Sequence, residues 1–223
     1  MAKERTSAPG VIPGVNLSRT VPPTPSPNYI SRKAILNKVQ IDRAGVTLVA
    51  GPAGYGKTSL VAEYVTTLAY PVIWLSFNDL DDAKSFNSHL MQAIRNVIPE
   101  FGKWFSANSK ASVENFMADV FSELGAIAKH HILILDDNRV MTGDSAPIAK
   151  HFFAYVPRNV HSIIIRNAIP SETFIELKAL TNLQVIDKNQ LKFTDAEVLL
   201  AASIAGVDLE NVENHKLLKS LDG

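Results

Sequence analysis

The chain has 223 residues, 46% of them hydrophobic, and this length is enough to bury one sizeable core, so we expect one main soluble domain. The 22 Lys and Arg residues balance the 22 Asp and Glu residues, which gives the chain as a whole no electrostatic reason to bind nucleic acid or an acidic surface. The absence of cysteine excludes disulfides and thiol chemistry, and the lack of a membrane-spanning apolar run or a signal segment predicts a cytoplasmic protein without membrane contact.

The N-terminal region is rich in proline. Residues 1–28 contain six of the 12 prolines, and because proline fixes φ and removes a backbone donor, neither a regular helix nor a central strand is expected there. We predict an extended proline-rich arm over residues 1–28. A short helix should follow between Tyr29 and Val39, with Ser31 as its N-cap and an apolar stripe formed by Ile35, Leu36 and Val39.

The most informative stretch is Gly51-Pro-Ala-Gly-Tyr-Gly-Lys-Thr58. It follows the apolar run Val46–Ala50 and precedes an amphipathic helix over Thr58–Leu68, which is the context of a phosphate-binding loop. Glycines let the backbone N–H groups point inward at a phosphate, with the positive end of the helix behind them. On this interpretation Lys57 reaches the β- and γ-phosphates and Thr58 ligates Mg²⁺. The alternative is a glycine-rich turn with a surface lysine.

A second strand and two helices are predicted after this loop. Pro71–Ser76 is a continuous apolar run, typical of a strand covered on both faces. An acidic turn follows, formed by Asn78, Asp79, Asp81 and Asp82. It either binds a metal or caps the next helix, and capping is favoured because no calcium-loop glycine follows it. The helix carries an apolar face from Phe86 to Ile98. A loop over residues 99–111 separates it from a long amphipathic helix over Ser112–Lys129.

The next strand ends in a second motif, His131-Ile-Leu-Ile-Leu-Asp-Asp137. A buried strand that finishes in two carboxylates has the form of a Walker B element, since a buried carboxylate is costly unless it is paired or bound to a metal. We predict that Asp136 holds the water shell of Mg²⁺ and that Asp137 orients or deprotonates the attacking water. The alternative for this stretch alone is two solvated aspartates that cap the next helix.

A further strand is predicted to end beside the same site. The sequence indicates a helix over Ser145–Val156, then strands over Val160–Ile165 and Leu183–Asp187. Arg166 follows the first of these strands, and the carboxyl ends of parallel strands are where such sheets bind ligands. Arg166 is therefore a candidate sensor of the γ-phosphate, and the alternative is an ordinary arginine in solvent.

The last segment begins with a capping box. Thr194 and Glu197 have the spacing at which each side chain bonds the free N–H groups of the first turn, and the helix that they open should end near Gly206. The segment superficially resembles a helix-turn-helix. A recognition helix should direct Arg, Lys, Asn or Gln to bases, whereas Glu210, Glu213 and the sparse basic residues here would face phosphates poorly, so we do not expect DNA contact.

The order of these motifs resembles a known family, the signal-transduction ATPases with numerous domains (STAND), specifically the nucleotide-binding module of the MalT-like, LuxR-type transcriptional activators. The resemblance covers nearly the whole chain and is much more specific than the phosphate loop alone. The segments that carry it are, in order, Asn16–Arg19, Ile30–Arg32, Gly51–Thr58, Trp74–Ser76, Leu133–Asp137, Arg166–Asn167 with Pro170, and Leu191–Glu197.

The resemblance implies a fold and a domain organisation. The fold is a three-layer α/β P-loop NTPase with a mainly parallel sheet, followed by the start of a helical domain. The arm precedes a nucleotide-binding domain over residues 29–190, and residues 191–223 begin the helical domain. Because family members continue into winged-helix, sensor and DNA-binding domains, we expect a truncated piece of a longer regulator. The inducer and DNA would bind the missing domains, and the full-length protein would self-associate in response to nucleotide.

The resemblance also implies a set of site residues. The cofactors would be Mg²⁺ with ATP or ADP, and the absence of an Asn-Lys-x-Asp tetrad favours adenine over guanine. Ile30 and Arg32 would lie against adenine, within a nucleotide-binding set of Ile30, Arg32, Gly51, Ala53, Gly54, Tyr55, Gly56, Lys57, Thr58 and Ser59. Thr58 and Asp136 would hold the metal. The residues with catalytic roles would be Lys57, Asp137 and Arg166.

The resulting hypothesis is a switch in which the nucleotide acts by differential affinity for two conformations. Hydrolysis would be slow or absent, because Asn138-Arg139 replaces the family's Tyr-His after Walker B and Phe77-Asn78-Asp79 replaces Leu-Asp-Glu after the second strand. One alternative is a metabolic kinase or NTPase, which would need an arginine-rich lid, yet residues 139–160 contain only Arg139 and Arg158. Another alternative is an interaction domain with a vestigial nucleotide site.

Overall fold

The fold is described by a computed structural model over residues 10–77, 83–103, 113–136, 156–168 and 182–207. These residues contain a five-stranded sheet with the order β2-β3-β4-β1-β5, and every neighbouring pair is parallel. The strands are β1 (Gly45–Ala50), β2 (Val72–Ser76), β3 (His131–Asp136), β4 (Val160–Arg166) and β5 (Leu183–Ile186). The predicted parallel α/β fold is therefore confirmed.

Helices connect and cover the strands. The α-helices in the described residues are α1 (Lys57–Val65), α2 (Ala83–Arg95), α3 (Val113–Ala126), α4 (Lys188–Leu191) and α5 (Asp195–Ala205). Helices α1, α2 and α3 lie where the apolar periodicity predicted them, whereas α4 was not predicted. The predicted helix over residues 145–156 lies outside the described residues except for its last position. No helix in the described ranges is long and apolar enough to cross a membrane.

The sheet is the middle of three layers, as predicted. Alternate residues of each strand point to opposite faces, so the core divides into two clusters. One face packs against α2 and α3 through side chains that include Leu48, Leu75, Leu90, Met117 and Leu133. The other face packs against α1 and the 3₁₀ helix Lys33–Lys38 through side chains that include Leu36, Val49, Leu60, Trp74 and Ile134. Every residue of β1, β3 and β4 is buried, which explains why these strands are continuous apolar runs.

The short helix before β1 differs from its prediction. The segment forms a 3₁₀ helix over Lys33–Lys38, and its N-cap position is held by Arg32, which makes no side-chain capping bond. Ser31 is exposed and is not the N-cap. The apolar stripe was predicted correctly, since Leu36 and Val39 are buried. The capping prediction failed because Arg32 is held by distant residues of the chain, which local sequence spacing does not reveal.

The described part of the proline-rich arm is docked on the domain. The Ile12 N–H donates to Gln92 Oε1 at 2.8 Å, and the Asn16 N–H donates to His89 Nε2 at 3.0 Å. Both acceptors belong to α2 and are buried. The Arg19 guanidinium donates to the Ser76 carbonyl oxygen at 2.8 and 3.0 Å, next to the end of β2. The arm therefore packs along α2 and reaches the end of β2 through Arg19.

His161 is a polar residue buried inside β4. Its Nδ1–H donates to the Arg43 carbonyl oxygen at 2.9 Å, so Nε2 accepts from the Thr47 hydroxyl at 2.8 Å. Both ring nitrogens are thus satisfied by the neutral imidazole. Burial lowers the pKa of His161, and also that of His131 in β3, below the ordinary value of 6.5.

We predict that the fold loses stability as the pH falls below about 6.5. The unfolded chain binds more protons than the folded chain in this window, so the free energy of unfolding falls by up to about 1.4 kcal/mol per pH unit for each histidine. His161→Gln removes one titrating ring, and urea unfolding between about pH 7.5 and pH 5 should show a shallower loss of stability than the unmodified chain.

Thr47→Val is the matched control for this prediction. It removes the hydroxyl that bonds Nε2 but keeps the titrating ring, so stability should fall at neutral pH while the slope below about pH 6.5 persists. If the free energy of unfolding of His161→Gln depends on pH as steeply as that of the unmodified chain, protonation of His161 does not contribute to the loss of stability in acid.

Candidate phosphate-binding site

The strand order brings the two predicted motifs to one edge of the sheet. β4 lies between β1 and β3, so its last residue, Arg166, is a neighbour of both motifs. The Gly51 N–H donates to the Arg166 carbonyl oxygen at 3.2 Å, and Asp136 is in register with Ile165. The phosphate-loop motif and the Walker B strand therefore end side by side, separated by one strand.

The glycines of the loop serve two physical purposes. Gly54 and Gly56 have φ of 89° and 68°, a left-handed conformation that costs other residues free energy, and a Cβ on either would meet nothing within 4 Å. Gly51 avoids a close contact instead, because a Cβ added at this position would lie 3.1 Å from Leu191 Cδ1. The loop at Gly54 and Gly56 is exposed, which leaves room for a ligand at the N-terminus of α1.

Lys57 is the first residue of α1, and its side chain turns back under the loop. Its Nζ donates to the Pro52 carbonyl oxygen at 2.8 Å and to Asn167 Oδ1 at 3.1 Å, and the residue is only 5% exposed. Burial lowers the pKa of Lys57, while the charge of Asp136 opposes this shift. A buried ammonium held by neutral oxygens is a favourable partner for phosphate, which would supply the opposite charge.

Thr58 and Asp136 meet across the sheet edge. The Thr58 hydroxyl donates to Asp136 Oδ1 at 3.1 Å, and Asp136 is buried at the end of β3. The predicted metal residues thus come together, although they are 78 residues apart in the sequence. A hydroxyl and a carboxylate are hard oxygen ligands that fit Mg²⁺, which takes few protein ligands and completes its shell with water and phosphate oxygens.

The other predicted catalytic and loop residues are placed as follows. Arg166 is buried at the sheet edge between the two motifs, whereas Asp137 lies outside the described residues. Tyr55 is buried, and its Cδ1 lies 3.7 Å from the position of a Cβ on Gly51. Ala53 is exposed in the loop, while Ser59 of α1 and Ile30 are half-buried. The acidic residues 78–82 also lie outside the described residues.

Arg32 differs from its predicted environment. Its guanidinium does not lie free for a base, because Nη1 donates to the Leu191 carbonyl oxygen at 2.7 Å and Nη2 to the Lys192 carbonyl oxygen at 2.7 Å. Nε forms a salt bridge with Glu197 Oε1 at 2.8 Å. The side chain is thereby committed to the segment that enters α5. Contact of Arg32 with adenine remains a prediction from the resemblance.

Two residues at the site were not assigned a role from the sequence. Asn167 holds Lys57, and its position directly after Arg166 at a strand end could have indicated this. Leu191 packs on Gly51, and no local sequence signal marks it because α4 folds back over the loop only in three dimensions. The predicted capping box at Thr194 is confirmed, with both side chain to backbone bonds present.

The sequence of the chain is similar to that of known regulators, although no protein-family model matches it. It is 26% identical over 205 residues to the HTH-type transcriptional regulator MalT of Yersinia enterocolitica, over 88% of this chain and 22% of that protein. It is 30% identical over 158 residues to the MalT regulator of Serratia proteamaculans, over 68% of this chain and 17% of that protein. The chain therefore spans about a fifth of the length of these curated relatives.

The fold is similar to that of a solved protein from Pyrococcus horikoshii, a signal transduction ATPase with numerous domains (STAND) that carries a tetratricopeptide repeat sensor. The TM-score is 0.51 at 19% identity, over 90% of this chain and 28% of that chain. Fold and site together define a parallel α/β domain with a phosphate-loop motif at the carboxyl edge of its sheet. By sequence the chain is similar to the MalT regulators, which confirms the resemblance seen in the sequence.

We predict opposite effects of alanine at two glycines. Gly56→Ala places a side chain at φ 68°, which should lower the free energy of unfolding by about 1–2 kcal/mol. Gly125→Ala lies in α3, where its Cβ would contact Pro157 Cβ at 3.5 Å, so it should raise stability by up to about 1 kcal/mol. Urea unfolding measures both, and equal effects at the two positions would contradict the left-handed loop geometry.

Proposed function

We propose that the chain binds ADP or ATP together with Mg²⁺ at the carboxyl edge of the sheet. The observation that carries this proposal is the convergence of Lys57, Thr58 and Asp136, which the start of α1 and the end of β3 bring together beside one exposed loop. The loop N–H groups and Lys57 would hold the phosphates. Thr58 and Asp136 would hold Mg²⁺, which when bound neutralises part of the phosphate charge.

We further propose that the domain is the switch of a larger cytoplasmic transcription regulator. The relatives are named as HTH-type transcriptional regulators, and the structural neighbour is named as a signal transduction ATPase. In such a switch the nucleotide acts through its differential affinity for two conformations. Hydrolysis would be slow or absent, and Arg166, buried between the two motifs, would sense the γ-phosphate rather than serve rapid turnover.

The C-terminal part of the proposal concerns residues 191–223, the beginning of a helical domain. Leu199, Leu200 and Ile204 of α5 are 57%, 49% and 42% exposed. Apolar side chains grouped on one helix favour burial by further helices. Inducer binding, DNA binding and nucleotide-dependent self-association would belong to the full-length protein.

Lys57→Ala should weaken ADP binding by about ten- to a hundredfold, because one charge-assisted bond to phosphate is lost. Calorimetric titration of the chain after removal of any bound nucleotide measures this change. Lys38→Ala is the matched control, since Lys38 is exposed on the 3₁₀ helix before β1 and should leave affinity unchanged. Affinity like that of the unmodified chain in Lys57→Ala would overturn the site assignment.

Asp136→Asn tests the metal site separately. We expect Mg²⁺ to bind the nucleotide complex about ten- to a hundredfold more weakly, while affinity for ADP without Mg²⁺ changes little. Titration of ATP and ADP with and without Mg²⁺ separates the two effects. Asp119→Asn, an exposed change on α3, should retain the full Mg²⁺ dependence. An equal loss of binding with and without Mg²⁺ would argue against a metal role for Asp136.

A further inference from the structure

Arg32 is buried by a part of the chain that is remote in sequence. Its side chain is 5% exposed, and its partners at Leu191, Lys192 and Glu197 are 159, 160 and 165 residues away. The guanidinium carbon also lies 4.7 Å from the centre of the Phe193 ring. Burying a guanidinium is costly unless its donors are satisfied, and here two carbonyl oxygens, one carboxylate and one aromatic face do so.

The backbone of Arg32 ties the same contact to α1. The Arg32 N–H donates to Glu63 Oε2 at 3.3 Å, and Glu63 belongs to the helix that begins at the phosphate-loop lysine. Tyr29 is half-buried beside Glu63, and burial together with the charge of Glu63 raises the pKa of the Tyr29 hydroxyl to about 12. Arg32 therefore connects α1 with the entry to α5.

Leu191 links this contact to the loop itself. Its carbonyl oxygen accepts from Arg32, while its side chain is 1% exposed and lies against Gly51, the first glycine of the loop. A methyl group on Gly51 would lie 3.1 Å from Leu191 Cδ1, closer than an ordinary contact, so the leucine side chain lies close over this glycine. Leu191 is therefore placed to respond when the loop is displaced.

Glu197 fixes α5 to the same contact. Its Oε1 bonds Arg32, while its Oε2 accepts from the Thr194 N–H at 2.7 Å and the Thr194 hydroxyl at 3.0 Å. One carboxylate thus caps α5 and holds Arg32. The first turn of α5 is therefore bonded to the guanidinium through this carboxylate.

We infer that Arg32 is a positioning residue that locks the entry of α5 onto the phosphate loop, and that it does not read the base. This inference rests on the proposed nucleotide site, because its functional consequence is that nucleotide bound at the loop stabilises α5 through Leu191 and Arg32. Lysine cannot replace it, since a single ammonium cannot reach two carbonyl oxygens and a carboxylate in one plane.

The test uses hydrogen–deuterium exchange of the whole chain, with and without Mg²⁺-ADP, followed on peptides that cover residues 51–60 and 195–205. Arg32→Gln and Arg32→Lys should each speed exchange in the α5 peptide by about tenfold or more and abolish its further slowing by ADP. Glu197→Gln should speed exchange in the α5 peptide in the same way. Because glutamine still completes the capping box, faster exchange in this variant would report the loss of the bond to Arg32. Lys33→Gln, an exposed loss of charge at the next position, is the matched control.

Base recognition supplies the second readout. Because a positioning residue does not contact the base, Arg32→Gln should weaken ADP and GDP by the same factor and leave their affinity ratio within about threefold. A larger change in the ratio, or α5 exchange as slow as in the unmodified chain in both Arg32→Gln and Glu197→Gln, would overturn the inference. If ADP fails to protect residues 51–60 of the unmodified chain, the proposed nucleotide site is wrong. In that case, the exchange rate of the α5 peptide without ADP, compared between the unmodified chain and the variants Arg32→Gln and Glu197→Gln, still decides whether Arg32 holds α5.

Discussion

The insertion of β4 between β1 and β3 is the constraint on which the rest of the site depends. Parallel pairing aligns the carboxyl ends of the three strands, so the loop after β1, the end of β4 and Asp136 of β3 share one edge. The bond from the Gly51 N–H to the Arg166 carbonyl oxygen extends this pairing into the loop. A one-residue slip of β4 would invert its side chains and separate the motifs.

Arg32 and Lys57 are both buried cations, and they are satisfied in different ways. Arg32 has a carboxylate and two carbonyl oxygens within hydrogen-bond distance, so its charge is compensated by the protein alone. Lys57 is held by two neutral oxygens, and burial lowers its pKa. The arginine is therefore suited to hold structure together, whereas the lysine is suited to receive an anion from outside.

Much of the fold could be predicted because the informative signals are local. The continuous apolar runs of β1, β3 and β4 follow from burial on both faces, and the spacing of Gly51, Gly56 and Lys57 defines the loop. The pairing of Thr58 with Asp136 was also predicted from the two motifs together.

What could not be predicted depends on contacts between distant residues. Arg32 was placed against adenine only by the resemblance, whereas the partners of its guanidinium lie in residues 191–197. The short helix α4 was likewise missed, since its four residues are too few for a periodic pattern.

The docking of the proline-rich arm limits the sequence positions at which proline can occur. The arm is bound through the backbone N–H groups of Ile12 and Asn16, and proline has none to donate. Pro13 follows the first of these donors and cannot itself take part in such a bond. Since His89 and Gln92 recognise main-chain groups, positions 12 and 16 must retain an N–H, whereas Arg19 binds the Ser76 carbonyl oxygen through its side chain. Allowed substitutions in the arm are thus set by main-chain chemistry at positions 12 and 16 and by side-chain identity at position 19.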